Sequence, residues 1–506
     1  MKRRDSLILF AFVIVTTLFS IFNVGYESVH SDEITYLSLV KFQNDPELYS
    51  KDILISETLP GVPVPMYTLL GELSKIIDKN PLFFFIYVLT RILLILSVFF
   101  LAYVLFKNKL VAYLSVITVI LIRGLLNIAS FSILDRMVSF FFLAVPLILF
   151  SVAFFLRKEY IISSMLLAIG VYLHITTSFF VALLYVFYFL FNLKEINKKV
   201  IYSSLIYIII SLPLFIKSFL AVSSESFNLD QWLYFIWIRI ADHFFPLSWS
   251  FISYLLFFIL IVMFIISFKY KPESSMHKKI VLFSLGSLLL FIIGFVFTEI
   301  FPVKSIIQAS FFRGLVVFRV VAFIYVINYI INSLKSKESR KVLALGMAAF
   351  FVLIAVTPFF AGAQKGIFSE VNVDKELTSW EKISIKAKEL TPKDSLFITP
   401  TFSQGFTFFS ERSEFINWKT SGVGAYSTAY VTKAVERFEF VCKHKLNFNS
   451  RAELVEECKK GYENLNEYDL KIAKEKYGVT HTIVEKPKTL DLKIVYENGE
   501  YVIYKL

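Results

Sequence analysis

The sequence predicts an all-α polytopic membrane domain of about eleven transmembrane helices followed by a small C-terminal extracytoplasmic α/β domain. Apolar runs of about 20 residues, the length that crosses a hydrocarbon core as helix, recur from residue 6 to residue 361. From residue 363 onward the pattern becomes that of a soluble module. The chain is 57% hydrophobic, with mean hydropathy +0.67 and only 18% charged residues, against roughly 25% in soluble domains. Such a chain uses lipid as part of its solvent, and its spans must be helices, because the backbone there has no water to bond. The 57 Phe and 26 Tyr fit lipid-facing and interfacial surfaces and imply no cofactor.

The predicted spans are residues 6–24, 81–106, 110–127, 138–156, 160–173, 175–192, 200–220, 249–268, 280–298, 314–332 and 341–361. The pair around His174 is the least regular, since one long tilted helix there would invert everything downstream. Charge opposes that inversion. Segments 1–5, 107–109, 157–159, 192–200, 269–279 and 333–341 together carry 18 Lys and Arg against 5 acids. This positive-inside asymmetry orients the chain in the cytoplasmic membrane with its N-terminus inside and its C-terminal domain outside. It also accounts for the net charge of +12 without nucleic acid as a partner. No small-residue cleavage site follows the apolar core of the first span, so that span reads as a retained anchor.

The domains expected are therefore 1–362, a transmembrane domain with a long first outer loop at 25–80, and 363–506 outside. In the first loop Asp32 to Phe42 has helical spacing, and Asp45-Pro46 and Pro60-Gly61 read as turns. A second outer loop, 221–248, holds Trp232, Trp237, Arg239, Asp242 and His243 and resembles an amphipathic helix lying in the interface. In the terminal module Asp374 to Leu390 reads as a helix, Ser395 to Pro400 as a buried strand, and 450–477 as charged helix. Leu492 to Tyr496, Asn498-Gly499 and Tyr501 to Leu506 form a hairpin signature. The two cysteines, Cys442 and Cys458, both fall in this exported part, where a disulfide is allowed; two unpaired thiols are the alternative.

Polar groups at the outer ends of spans are the candidates for chemistry. Ser31-Asp32-Glu33 opens a helix just beyond the first span; capping explains it, and so does a catalytic acid. Arg91 lies mid-span among Leu89, Thr90, Ile92 and Leu93, too deep to snorkel, and calls for an anionic partner. Arg313 and Arg319 stand at the outer start of the tenth span, Asp135 and Arg136 in an outer turn, and His174 in the next. The arginine fork suits a phosphate.

A short cytoplasmic start, one span, an Asp-Glu pair in a long first outer loop, about ten further spans and an exported terminal domain resemble the GT-C class of membrane glycosyltransferases. More narrowly, Asn44 to Tyr49, Leu89 to Arg91, Phe409 to Arg412, Trp418-Lys419, Lys476 to Val479 and the closing Tyr-Lys-Leu are similar to a group of uncharacterised bacterial GT-C-like proteins. The resemblance implies a polyprenyl-phosphate-linked sugar as co-substrate and a glycan, lipid or protein acceptor. It places the role of general base, or of metal ligand, on Asp32 with Glu33 beside it. Arg91, Asp135, Arg136, His174, Arg313 and Arg319 become candidates for holding substrate. A divalent metal is the cofactor the resemblance admits. The second outer loop, however, has no DxD or ExD pair, only Asp135, and the WWDYG-like element of oligosaccharyltransferases is absent. Two other functions share these features: a transporter or flippase of a lipid-linked or anionic solute, and a non-catalytic protein of envelope assembly.

Overall fold

A computed structural model of the chain describes residues 3–29, 32–58, 64–122, 132–220, 228–336, 338–360, 369–373 and 376–506. The expected roles of Ser31, of the Pro60-Gly61 turn and of Asp374 as a helix start fall outside these residues. Two compact units emerge. One comprises residues 1–27, 83–215 and 242–372; the other joins residues 28–82 and 216–241 to 373–506.

The first unit is a helical bundle. Seven helices among the described residues are long and apolar enough to cross a membrane, and four shorter apolar ones span 109–121, 140–156, 160–173 and 175–190. The chain is a multi-pass membrane protein. Lys107, at φ 51°, ends the 28-residue helix Lys79–Phe106, and the Asn108 side chain accepts from the N–H groups of Leu110 and Val111 to start the next. The helix Leu315–Ser333 is buried on every side, whereas the helices around 198–217, 251–270 and 338–357 expose most of their apolar surface. The former is the axis of the bundle and the latter its lipid-facing periphery.

The first helix, Arg3–Val24, ends at Gly25, whose φ of 82° favours glycine. A Cβ there would also lie 2.7 Å from the Glu370 oxygen. Tyr26–Glu27 then pairs in parallel with Val371–Asn372, while the Glu27 N–H donates to the Arg136 carbonyl at 3.0 Å. The Tyr87 hydroxyl, on the second long helix, donates to the Gly25 carbonyl at 2.6 Å.

The second unit is built on a five-stranded sheet. Leu396–Ile398 pairs in parallel with both Ser413–Glu414 and His481–Glu485, and the antiparallel Tyr501–Lys505 and Lys493–Glu497 complete the order. The hairpin has the expected Asn498 turn, its side chain accepting from the Glu500 and Tyr501 N–H groups. Helix Ser379–Leu390 opens with a Thr378/Glu381 capping box and buries Trp380, Ile383 and Ala387 against Phe397, Ile483 and Ile503. Helices Thr428–Cys442 and Arg451–Glu463 are joined by a Cys442–Cys458 disulfide, and Gly461 packs so closely on Cys442 that no Cβ fits. Closing this 16-residue separation removes about 3 kcal/mol of unfolded-chain entropy.

The segment 228–241 corrects the interfacial reading of the second loop. Its helix forms, but Trp232 is 1% exposed and donates its Nε1–H to the Gly424 carbonyl at 3.1 Å. Arg239 is buried too, donating to the Trp418 and Lys419 carbonyls and to the Ser421 hydroxyl. The apolar face of this helix finds protein inside its own unit, a better partner than the bilayer interface because it also satisfies the indole and the guanidinium.

The first-loop residues are fastened to the same sheet. Lys41 pairs with Glu411, Glu57 with Lys433, and Lys393 with Asp45 and Glu47. Beneath these surface pairs Asp52 accepts from the Leu54 N–H and from the Glu414 N–H, and the Glu414 carboxyl accepts from Thr399 and Asn417. Burial pushes Glu414 up to about 8, with Asp52 adding to it, and pushes Asp52 up to about 6. Both native values exceed the ordinary values near 4, so the folded form holds more protons and its stability falls as pH rises from about 4 to about 8. Glu414→Gln keeps an acceptor for Thr399 and Asn417 and removes one titration. Amide exchange over residues 396–415, which should quicken in the native protein between pH 6 and 8.5 beyond the intrinsic rate, is expected to lose most of that extra pH dependence in this variant. An unchanged dependence contradicts the assignment.

Candidate functional site

In the bundle, the knot at Gly25–Glu27 also positions Arg91. Its guanidinium lies over the Tyr87 ring, 4.3 Å from the centroid, and Nη2 donates to the Asp135 carbonyl. Arg91 is 2% exposed, and among the described residues its Nε has no hydrogen-bond partner. The anionic partner expected from sequence is therefore a neutral carbonyl and a π face. The Asp135 carboxylate instead accepts from the Arg136 N–H at 2.7 Å, because a short side chain in a turn bonds its own backbone most readily. Arg136 is exposed and lies 3.8 Å from Glu27.

Arg313 and His174 are brought together. Arg313 Nη1 donates to His174 Nε2, and the ring of Phe141 stands edge-on to the imidazole at 5.3 Å. A guanidinium cannot accept, so Nε2 offers a lone pair to Arg313, while Nδ1 lies 2.9 Å from the Thr177 hydroxyl and caps the helix at 3.4 Å from the Thr177 N–H. His174 is thus a neutral orienting partner at the turn between helices Tyr160–Leu173 and Ile175–Leu190. Arg319 follows on the axial helix and is 6% exposed.

In the other unit Asp32 begins helix Asp32–Asn44 as the sequence predicts. Its carboxylate, 48% exposed, pairs with the Lys419 ammonium at 2.8 Å. Glu33 points elsewhere: it is fully buried and accepts from the Val29 N–H at 3.5 Å. The two acids do not act on each other as a carboxylate pair, because adjacent residues on a helix diverge by about 100°. The Asp32–Lys419 contact is prepared by Arg239, whose bonds to the carbonyls of 418 and 419 fix the segment, and by Asn417, which accepts from the Lys419 N–H.

Two further participants carry little sequence signal. Tyr67 is buried, and desolvation, reinforced by Tyr36 and by Asp32, holds its phenol well above the ordinary value, so it remains a donor at neutral pH. Its ring lies 6.1 Å from that of Tyr36. Lys419 stands 387 positions from Asp32, and no spacing rule links the two. Among the described residues no group of three or more His, Cys, Asp or Glu side chains converges.

A family model described as a domain of unknown function, DUF6798, matches residues 378–430, the stretch that holds the capping box, the first two strands of the sheet and Lys419. A search of curated proteins finds no match. Among solved structures the chain is similar to the Archaeoglobus fulgidus oligosaccharyltransferase in its apo form, with 11% identity and a TM-score of 0.53 over 94% of this chain and 69% of that one. It is also similar to AglB of the same organism in complex with an inhibitory peptide and a dolichol-phosphate, at 12% identity and TM-score 0.47 over 94% and 69%. A third likeness, at 12% identity and TM-score 0.43 over 100% and 98%, is to ArnT from Cupriavidus metallidurans bound to undecaprenyl phosphate. The first of these likenesses establishes the architecture: the chain has the GT-C fold that its sequence resembles.

Gly25→Ala tests the knot that holds Arg91. Left-handed backbone and a blocked Cβ are expected to destabilise the bundle by about 2 kcal/mol, lowering the melting temperature of the purified protein. A melting temperature equal to that of the native protein contradicts this.

Proposed function

We propose that this protein transfers a sugar from a polyprenyl-phosphate donor to an acceptor hydroxyl at the outer face of the cytoplasmic membrane. The observation that carries the reading is Arg91, a buried cation with one neutral oxygen, one π face and an unused Nε–H. A buried charge left so poorly compensated is expensive, and an anionic ligand such as a lipid phosphate repays it. Arg313, oriented by neutral His174, and Arg319 are the other cations assigned to the phosphate; Asp135 and Arg136 hold the turn from which Arg91 takes its oxygen.

Asp32 is the general base in this reading. It takes the proton of the acceptor hydroxyl as that oxygen forms its bond to the anomeric carbon, while the bond from that carbon to the phosphate oxygen breaks and polyprenyl phosphate leaves. Fixed guanidinium charge stabilises the departing phosphate. Glu33, buried behind Asp32, positions the start of the helix through the Val29 N–H. Lys419 holds the Asp32 carboxylate in place until an acceptor displaces it. The GT-C fold supports a transferase, since a protein of like fold is an oligosaccharyltransferase.

Two substitutions separate the roles. Asp32→Asn is expected to lower turnover by at least about a hundredfold with binding of undecaprenyl phosphate unchanged, whereas Arg91→Gln is expected to weaken that binding. Both are read in purified full-length protein by transfer of label from a polyprenyl-phosphate sugar and by lipid titration. Native turnover in Asp32→Asn contradicts the base assignment; native affinity in Arg91→Gln contradicts the phosphate site.

A further inference from the structure

The axial helix that carries Arg319 near its start carries Asn328 and Asn332 near its end, so Asn332 lies about 20 Å along the helix from Arg319. At that far end the bundle contains a cavity of about 410 Å³. Its wall sets apolar Leu105 and Met276 beside Asn328, Asn332 and the ammonium-bearing Lys107 and Lys271, with Glu273 next to them. The floor is preorganised: Asn328 donates to the Tyr270 carbonyl at 2.7 Å, Asn332 to the Asn328 carbonyl at 2.8 Å, and Arg340 to the Tyr270 hydroxyl at 3.1 Å.

The helix that ends at Phe106 is 28 residues long, about 42 Å, and exceeds a hydrocarbon core of roughly 30 Å. Lys107 therefore stands at headgroup depth. Neither Lys107 nor Lys271 makes an ion pair among the described residues. Two ammoniums against one carboxylate leave a single positive charge, which one phosphodiester neutralises. Basic recesses between transmembrane helices recognise lipid phosphates by this combination of charge and apolar wall.

We propose that this cavity binds the phosphodiester headgroup of an anionic phospholipid, with Lys107 and Lys271 on the phosphate, Glu273 toward a headgroup hydroxyl, and Leu105 and Met276 against the first methylenes of the acyl chains. The site is separate from the arginines assigned to the sugar donor, and it stands whether or not the chain transfers sugar. Phosphatidylglycerol has the required charge and hydroxyls.

The test is native mass spectrometry of the full-length protein titrated with dioctanoyl phosphatidylglycerol, in competition with dioctanoylglycerol and with inorganic phosphate. The exposed pair is altered in K107Q/K271Q, and K198Q/K199Q removes the same charge at the start of another helix. Phosphatidylglycerol is expected to bind the native protein and K198Q/K199Q alike, and K107Q/K271Q about thirtyfold more weakly, with melting temperatures of all three proteins unchanged in the absence of lipid. Dioctanoylglycerol should not compete. Equal affinity in K107Q/K271Q, or equal weakening in both double variants, overturns the site in favour of diffuse attraction to basic surface. Competition by inorganic phosphate at the lipid's own concentration overturns the lipid in favour of a free anion.

Discussion

The arrangement of the bundle depends on a backbone knot at the exit of the first helix. Gly25 turns the chain with positive φ, Tyr26 and Glu27 pair with 371 and 372, Tyr87 bonds the Gly25 carbonyl, and the Arg136 carbonyl accepts from Glu27. Backbone that leaves a helix near lipid must have its polar groups bonded by protein, and these contacts bond them. The same two partners, Tyr87 and the 135–136 turn, provide the ring and the oxygen that receive Arg91. Positioning the first span and positioning a buried cation are thus one structural act.

A second constraint governs the acidic motif. Asp32 follows the knot by five residues in sequence, but its immediate environment comes from the terminal sheet unit, through Lys419 and through Arg239 behind it. The first-loop helices, the 229–241 helix and the sheet form one unit although they are scattered over the chain. Within it, the buried Asp52 carboxyl joins loop to strand by accepting from the Glu414 N–H, and exposed pairs such as Lys393 with Glu47 each add only a fraction of a kcal/mol. The buried contacts set the register of this docking.

Much of the architecture was legible because lipid imposes a single secondary structure. Hydropathy located helices such as 79–106 and 315–333 to within a few residues, and the Asn498 turn marked the closing hairpin. Asp32 at a helix start, the burial of Arg91 and the proximity of Cys442 to Cys458 were also readable, since each follows from a local pattern. Other features were not. The burial of Trp232 and Arg239 depends on a partner almost two hundred residues away, and an amphipathic stripe does not say whether lipid or protein covers it. The divergence of Asp32 and Glu33 follows from helix geometry, yet their opposite burial depends on tertiary packing. The carbonyl partner of Arg91 is equally invisible, because a backbone oxygen leaves no trace in residue type.

The central claim is that the lipid phosphate of a polyprenyl donor sits at Arg91. The most direct measurement is photolabelling of the purified protein with an undecaprenyl-phosphate analogue bearing a diazirine beside the phosphate, followed by peptide mapping. Labelling confined to peptides containing residues 84–95 and 132–138, and abolished by excess undecaprenyl phosphate, is the expected result. Labelling elsewhere, or labelling that excess undecaprenyl phosphate does not displace, contradicts it.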